Sequence, residues 1–447
     1  MKRPKIKRRT YLATASALSV AAVAGCTGGG ESDDDGGDGN ETDDDYDNDG
    51  ADDYGDEDDH DDEDDHDDDD DDDDDGDHPD IVGTFDDFED LDAWSVVAGS
   101  LEADQDHVYE GSQSAHLYAS ESESQIRIAR ELEDPIDVEG VLPGLAMATS
   151  TSASPVIQLH DAEGNYLQYQ QFVHGDHPFV RHNFGHTEVS GDPDLSDITE
   201  IQIAYWTGDE SEGEIWVDDF HFVPQVNTGR VMLQFQGGFE SDYTHAFPVL
   251  EEYDLTASTF VATSRVRETS ATSGNRLSES QLEELLDAGW SLGTVGARGL
   301  HLSSVEPDEV ESDILDPLEW FDEHGYDDAN YFAFPGGRYD EEMYDLVDEH
   351  YELGFAGRYH SQGYASNHLN LTRISGDGDQ VNLSESEVVD ALDWTAERGG
   401  ITTIVFYHMD EDDVSTLETL AEHLTTLQEA GELELITPAE IADEYVY

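Results

Sequence analysis

Between residues 81 and 223 the chain alternates apolar and polar positions in short runs, at 125–128, 156–159, 201–206 and 215–217. Turns rich in Gly and Asp separate them. A period of two with frequent turns predicts half-buried strands in an antiparallel sandwich. At Gly229 the rhythm changes. The apolar run 231–235 predicts a strand, and the spacing over 243–252 predicts a helix with one apolar face. The alternation continues with strand 259–262, helix 280–288 closed by Gly289, helix 310–324, strand 331–334 and helix 341–350. A short strand at 355–356, helix 385–398, strand 403–407 and helix 414–430 follow, and a last strand and helix fill 435–445. Repeated strand–helix units of this length build a parallel sheet or barrel. The expected architecture is multidomain: an all-β sandwich over 81–224, then an α/β barrel over 229–447.

Neither pattern reaches the first 80 residues. Residues 27–80 are mostly Asp, Gly, Glu and Asn, with an unbroken Asp run from Asp67 to Asp75. Such a stretch buries too little to offset its ordering entropy, and self-repulsion extends it. It reads as a disordered acidic spacer. An unstructured carboxylate run offers calcium or magnesium no fixed cage.

Charge widens the picture. The chain carries 18 Lys plus Arg against 110 Asp plus Glu, a formal net charge of −92. Acids also crowd the folded region, as at Glu306-Pro307-Asp308-Glu309 and Asp410-Glu411-Asp412-Asp413. Concentrated salt, with a Debye length of about 3 Å at 1 M, removes most of the resulting repulsion. The composition is that of a protein adapted to a high-salt habitat, as in a halophilic archaeon. Nucleic acid is excluded as a partner because there is no basic footprint.

The N-terminus reads as an address. Lys2, Arg3, Lys5 and Lys7 precede Arg8-Arg9, and an apolar stretch runs from Leu12 to Ala24. A span needs about 20 residues, so this one is too short. The arginine pair resembles a twin-arginine export signal, and Val23-Ala24-Gly25-Cys26 resembles a lipobox. The resemblance implies that residues 1–26 are a signal, that Cys26 is lipidated, and that the protein sits on the outer face of the membrane. Cys26 is the one cysteine, so no intrachain disulfide forms.

Within the sandwich, Phe85-Asp86-Asp87-Phe88-Glu89, Trp94, and Tyr109-Glu110-Gly111-Ser112-Gln113-Ser114 resemble carbohydrate-binding-module jelly rolls. So does the closing Ile215-Trp216-Val217-Asp218-Asp219-Phe220-His221-Phe222. That resemblance implies a structural calcium between Glu89 and Asp219. It also makes Trp94, Tyr166, Tyr169 and Trp206 candidates for stacking on sugar rings.

In the α/β half, three segments resemble motifs of the polysaccharide deacetylase (NodB homology) family. They are Gln234-Phe235-Gln236-Gly237-Gly238-Phe239-Glu240-Ser241-Asp242, Tyr331-Phe332-Ala333-Phe334-Pro335-Gly336-Gly337-Arg338-Tyr339-Asp340 and Ile404-Val405-Phe406-Tyr407-His408. Leu353-Gly354-Phe355-Ala356-Gly357 and Leu371-Thr372-Arg373-Ile374 are further landmarks. The family folds as an irregular (β/α)7-type barrel and removes acetyl groups from sugars. Its divalent metal, such as zinc, activates a water, a carboxylate acts as base and a late His protonates the leaving amine.

The resemblance places Gln236 at the base position and Gly237, Val295 and Gly299 at the ligand positions. Gln236 takes up no proton near neutral pH, and none of the other three offers a metal a donor side chain. His408 holds the general-acid position, and Pro335 and Gly336 hold the oxyanion loop. Arg338 and Tyr339 in that loop are candidate glycan contacts. Rescue of the metal site would need His301 with Glu240 or Asp242.

Three functions stay open from the sequence. The leading one is a glycan-binding pseudoenzyme. The second is a hydrolase of C–N bonds in acetylated sugars with a rearranged site. The third is a structural protein of the envelope, and the sequons at Asn370 and Asn382 fit any exported protein.

Overall fold

Residue 79 and residues 81–447, apart from 209–210, 271–273, 327–328 and 377–381, are described by a computed structural model. The expected export signal, Cys26 and the spacer apart from residue 79 lie outside the described residues. All the strands and helices below belong to one compact unit, Asp77–Tyr447.

Two six-stranded antiparallel sheets come first. One runs in the order Ser100–Asp104, Ser114–Ala119, Gly213–Pro224, Val141–Thr149 and Val180–His182, with Gly83–Asp86 also on Gly213–Pro224. The other runs Gly185–Ser190, Tyr166–Gln170, Val156–Asp161, Ile198–Trp206, Gln125–Ile136 and Ser95–Ala98. Alternation explains their common core. Ile126, Ile128, Ile157, Leu159, Ile201 and Ile203 meet Leu117, Leu145, Val217 and Phe220 from the first sheet. Two strands are much longer than their apolar runs suggest, because backbone pairing carries polar residues such as Glu131 along with them. The ladder of Gly213–Pro224 slips between Asp218 and His221, where Asp219 has φ +42.

The second half is a parallel sheet in the order Leu353–Phe355, Tyr331–Ala333, Ser291–Thr294, Ser258–Val261, Gly229–Gly237 and Ile401–Phe406, with Leu433–Leu435 beside the start of Gly229–Gly237. Strand Gly229–Gly237 shows why it is central. Val231, Leu233 and Phe235 pack on the helix layer, while Met232 joins Phe260, Val295 and Phe355 on the other face. It is buried on both sides, as parallel strands are. The extended stretch at 371–374 closes the sheet, bridging Phe355 through Leu371 and Ile404 through Ile374. The sequence shows no strand there, because single bridges leave no period.

Helix ends follow local chemistry. Ser278 with Gln281 makes a capping box for Glu279–Asp287, and Asp410 with Asp413 makes one for Glu411–Ala430. Gly325 and Gly431 end their helices in the left-handed conformation. The helix expected over 243–252 is an α-helix only over Phe247–Glu252. Asp242–Ala246 ahead of it is a π-turn.

The two halves meet along the 356–370 connection. Asn183 Nδ2 donates to Asn367 O (2.8 Å) and Asn370 O (2.9 Å), and Asn367 Nδ2 donates to Arg181 O (2.7 Å). His186 N donates to His360 O at 3.0 Å. Asn370 and Asn382, the two sequon asparagines, are buried, and their amides bond to His182 and the His408 carbonyl. Neither side chain is presented for glycosylation.

Candidate functional site

The C-terminal ends of the parallel strands bring the motif residues to one end of the sheet. Leu233 and Phe235 face the helices, so the alternation of the strand turns Gln234 and Gln236 to the sheet's other side, where both are buried. Each accepts from Arg373, at 3.5 Å for Gln234 Oε1 and 2.7 Å for Gln236 Oε1. Arg373 also donates to Phe334 O at 2.9 Å. Among the described residues its buried guanidinium has uncharged acceptors alone, and that burial lowers its pKa. The position expected to hold the base is therefore an amide fixed by a buried arginine.

The three expected ligand positions are closed by packing. Gly237 has φ +111, and a Cβ there would stand 2.6 Å from Phe239 Cε2. Phe239 lies under the Arg276 guanidinium (3.8 Å) and meets the His408 ring edge-to-face at 5.2 Å. Arg276 Nη1 donates to Gly237 O. Val295 is buried in the apolar interior with Ala262. A Cβ on Gly299, at φ +61, would meet Ala262 Cβ at 2.9 Å. Branched carbon and a phenyl ring stand where a metal would need nitrogen or carboxylate oxygen.

The residues proposed to rescue a metal site do not assemble. His301 Nδ1 faces Pro335 O at 3.1 Å, and its ring fills the space beside Gly336. Glu240 accepts from Arg267 (2.7 Å) and Gln281 (3.1 Å). Asp242 is fully buried on Thr259 Oγ1 (3.1 Å), and burial pushes its carboxyl up to about 8. Among the described residues no group of three or more His, Cys, Asp or Glu is placed to hold a metal ion. A divalent metal does not fit this donor set.

His408 is exposed and lines a cleft of about 380 Å³ with Glu240, Ser241, His245, Asn275 and Asp410. Gln236 does not line that cleft, and Phe239 stands between His408 and Gly237.

Two histidines hold the expected oxyanion loop. Pro335–Gly337 is a 3₁₀ turn with Gly336 at φ +70 and Gly337 at φ +67, values that glycine adopts freely. Besides His301, the sandwich contributes His177, which pairs its Nε2 with Gly337 O at 2.9 Å. Its ring stacks on Tyr339 at 3.9 Å and 12°. Desolvation holds His174 down to about 4 and His177 well below its ordinary value.

Several candidates sit elsewhere than expected. Tyr339 is 1% exposed and packs between His177 and Phe334, so it is a seam residue and no glycan platform. Trp94 is 5% exposed, stacks on Phe88 and donates Nε1–H to Asp86 Oδ2 (2.9 Å), which makes it sandwich core. Tyr169 is core as well. Trp206 is 45% exposed with Arg127 over its ring, and Tyr166 is half-buried with its hydroxyl on Glu188. Arg338 is exposed beside His174.

Glu89 and Asp219 serve different partners. Glu89 holds the Ser112 N–H and hydroxyl, while Asp219 accepts from Thr84 Oγ1 (2.7 Å) and Arg181 Nε (2.6 Å).

The comparisons agree with the motifs. Residues 224–353 match the model of the polysaccharide deacetylase family. YxkH of Bacillus subtilis (strain 168), which bears a polysaccharide deacetylase name, is 26% identical over 125 residues. These are 28% of this chain and 43% of YxkH, so the match spans less than half of that relative. Among solved structures, a family 4 carbohydrate esterase from Streptomyces lividans in complex with acetate is similar at 16% identity and TM-score 0.33. It covers 47% of this chain and 94% of its own. The Streptococcus pyogenes deacetylase PplD in complex with acetate gives 23% identity and TM-score 0.30, over 36% and 69%.

Proposed function

We propose that this chain is an exported, lipid-anchored surface protein that binds glycan through a deacetylase-type barrel without hydrolysing it. The observation that carries the reading is the pairing of Gln236 with Arg373 at 2.7 Å. An amide locked by a buried cation takes no proton from water, so general-base chemistry has no agent at that position. The apolar filling around Gly237, Val295 and Gly299 supports the same conclusion for the metal.

The jelly-roll sandwich would act as a second carbohydrate-binding element, and the loop around Gly336 would present the barrel's end to the sugar. The twin arginines and Cys26 support export and anchoring, with residues 27–80 as the spacer. The test is saturable binding of acetylated oligosaccharides to the full chain, with and without chelator. Equal affinity in both supports the reading; binding that requires added zinc overturns it.

A further inference from the structure

After Arg9 the chain has no lysine and twelve arginines. In so acidic a protein each should find a carboxylate, and Arg130, Arg181, Arg230, Arg267 and Arg298 do. Seven others have no ion pair among the described residues. Arg127 holds Gln158 and Gln202 in the sandwich, and Arg398 lies against Trp394 at the end of helix Glu385–Arg398. The remaining five gather at one end of the parallel sheet. Arg265 and Arg276 lie in the connection leaving Ser258–Val261, Arg338 in that leaving Tyr331–Ala333, and Arg358 in that leaving Leu353–Phe355. Arg373 lies beneath them on Gln236.

Neighbouring acids do not neutralise this set. Asp242, near Arg276, is fully buried, which pushes its carboxyl up to about 8, and Glu240 is held by Arg267. Asp176, beside His174, is exposed and bonded to none of the five. Asp410 and Glu411 line the His408 cleft, and neither pairs with any of the five. Arg338, Arg358 and Arg265 are exposed, with Phe172 under the Arg358 guanidinium at 4.7 Å.

We propose that this end of the barrel selects an anionic polysaccharide, one bearing carboxylate or sulfate groups, through Arg338 and Arg358. The inference rests on the glycan-binding reading above and names its ligand class. Guanidinium groups fit carboxylate and sulfate oxygens through paired N–H donors, and such close contacts survive salt that screens longer-range attraction. The net charge of −92 disfavours the same polymer on the rest of the chain, so charge would favour this end.

The test uses the full chain and matched probes by equilibrium titration: oligogalacturonate, its methyl ester, a sulfated galactan fragment and a single-stranded RNA. Oligogalacturonate or the sulfated fragment should bind, whichever does identifying the anion, with the methyl ester and the RNA at least about tenfold weaker. Arg338→Gln and Arg358→Gln should each weaken anion binding about tenfold, and Arg398→Gln should leave it unchanged. Unaltered thermal unfolding of the variants separates lost contact from lost fold. Equal binding of ester and acid overturns the charge selection and leaves the glycan reading standing. Tight RNA binding overturns the choice of polysaccharide, and no binding of any saccharide overturns both readings.

Discussion

Replacing Gln236 with Glu tests the environment of Arg373 directly. In the native chain a buried guanidinium has only uncharged acceptors among the described residues, the shortest contact being 2.7 Å from Gln236 Oε1. Glu is nearly isosteric with Gln and supplies a carboxylate to the same donor. The carboxylate adds charge–charge attraction to a bond that the guanidinium already assists, and the added desolvation takes back part of the gain. The expected result is a stabilisation on the order of 1–2 kcal/mol at neutral pH. Gln236→Leu, which removes the acceptor, should cost about 1.5–3 kcal/mol.

The pH dependence has a definite sign. Arg373 would hold the new carboxyl below the ordinary glutamate value of about 4.3. The stabilisation should therefore be fully present above that value and fade as pH falls through the lower folded-state value. Denaturant midpoints at constant m, measured over that range, provide the assay. If Gln236→Glu is as destabilising as Gln236→Leu, Arg373 already has a charged partner and the account of this site is wrong.

Three other outcomes are expected. Gly237→Asp, which installs a carboxylate at a ligand position, should destabilise by roughly 2 kcal/mol or more, because φ is +111 and Phe239 crowds the Cβ; calorimetry should show no stoichiometric zinc binding. Asp242→Asn should stabilise at neutral pH. The carboxyl's folded value of about 8 lies above its ordinary one, so the native protein loses stability as pH rises towards 8, and the asparagine variant should flatten that slope in pH-dependent unfolding. The seam histidines act in the opposite direction. Burial holds His174, His182 and His360 at about 4, so the unfolded chain binds protons first, and stability should be full above about 6.5 and drain as pH falls towards 4. Replacing His182 with Leu should lower that slope by up to one proton.

The fold was legible wherever a period repeats. The buried alternation of Ile201 and Ile203 announces its strand, and Gly289 the end of helix Glu279–Asp287. Closure through Leu371 and Ile374 was not legible, since it depends on single bridges to distant strands. Aromatic identity misled at Trp94 and Tyr339. A ring that could stack on sugar is also the ring that best fills a core, and partners far away in sequence decide which it does. At the barrel's end the motif residues announced themselves by position. Arg373 stood within a landmark, yet its hold on Gln236 crosses 137 positions. The scarcity of cations was the available signal: with twelve arginines after Arg9, each one asks for a partner. Phe239 and Arg276, which close the ligand position beside Gly237, carried no motif of their own.

The central claim is tested most directly by acetate release. The full chain, first stripped by chelator and then supplied with zinc or cobalt, is incubated with acetylated oligosaccharides that it binds. The expected result is saturable binding and no acetate above the protein-free control, with or without metal. Metal-dependent acetate release that disappears in a His408→Ala variant would contradict it.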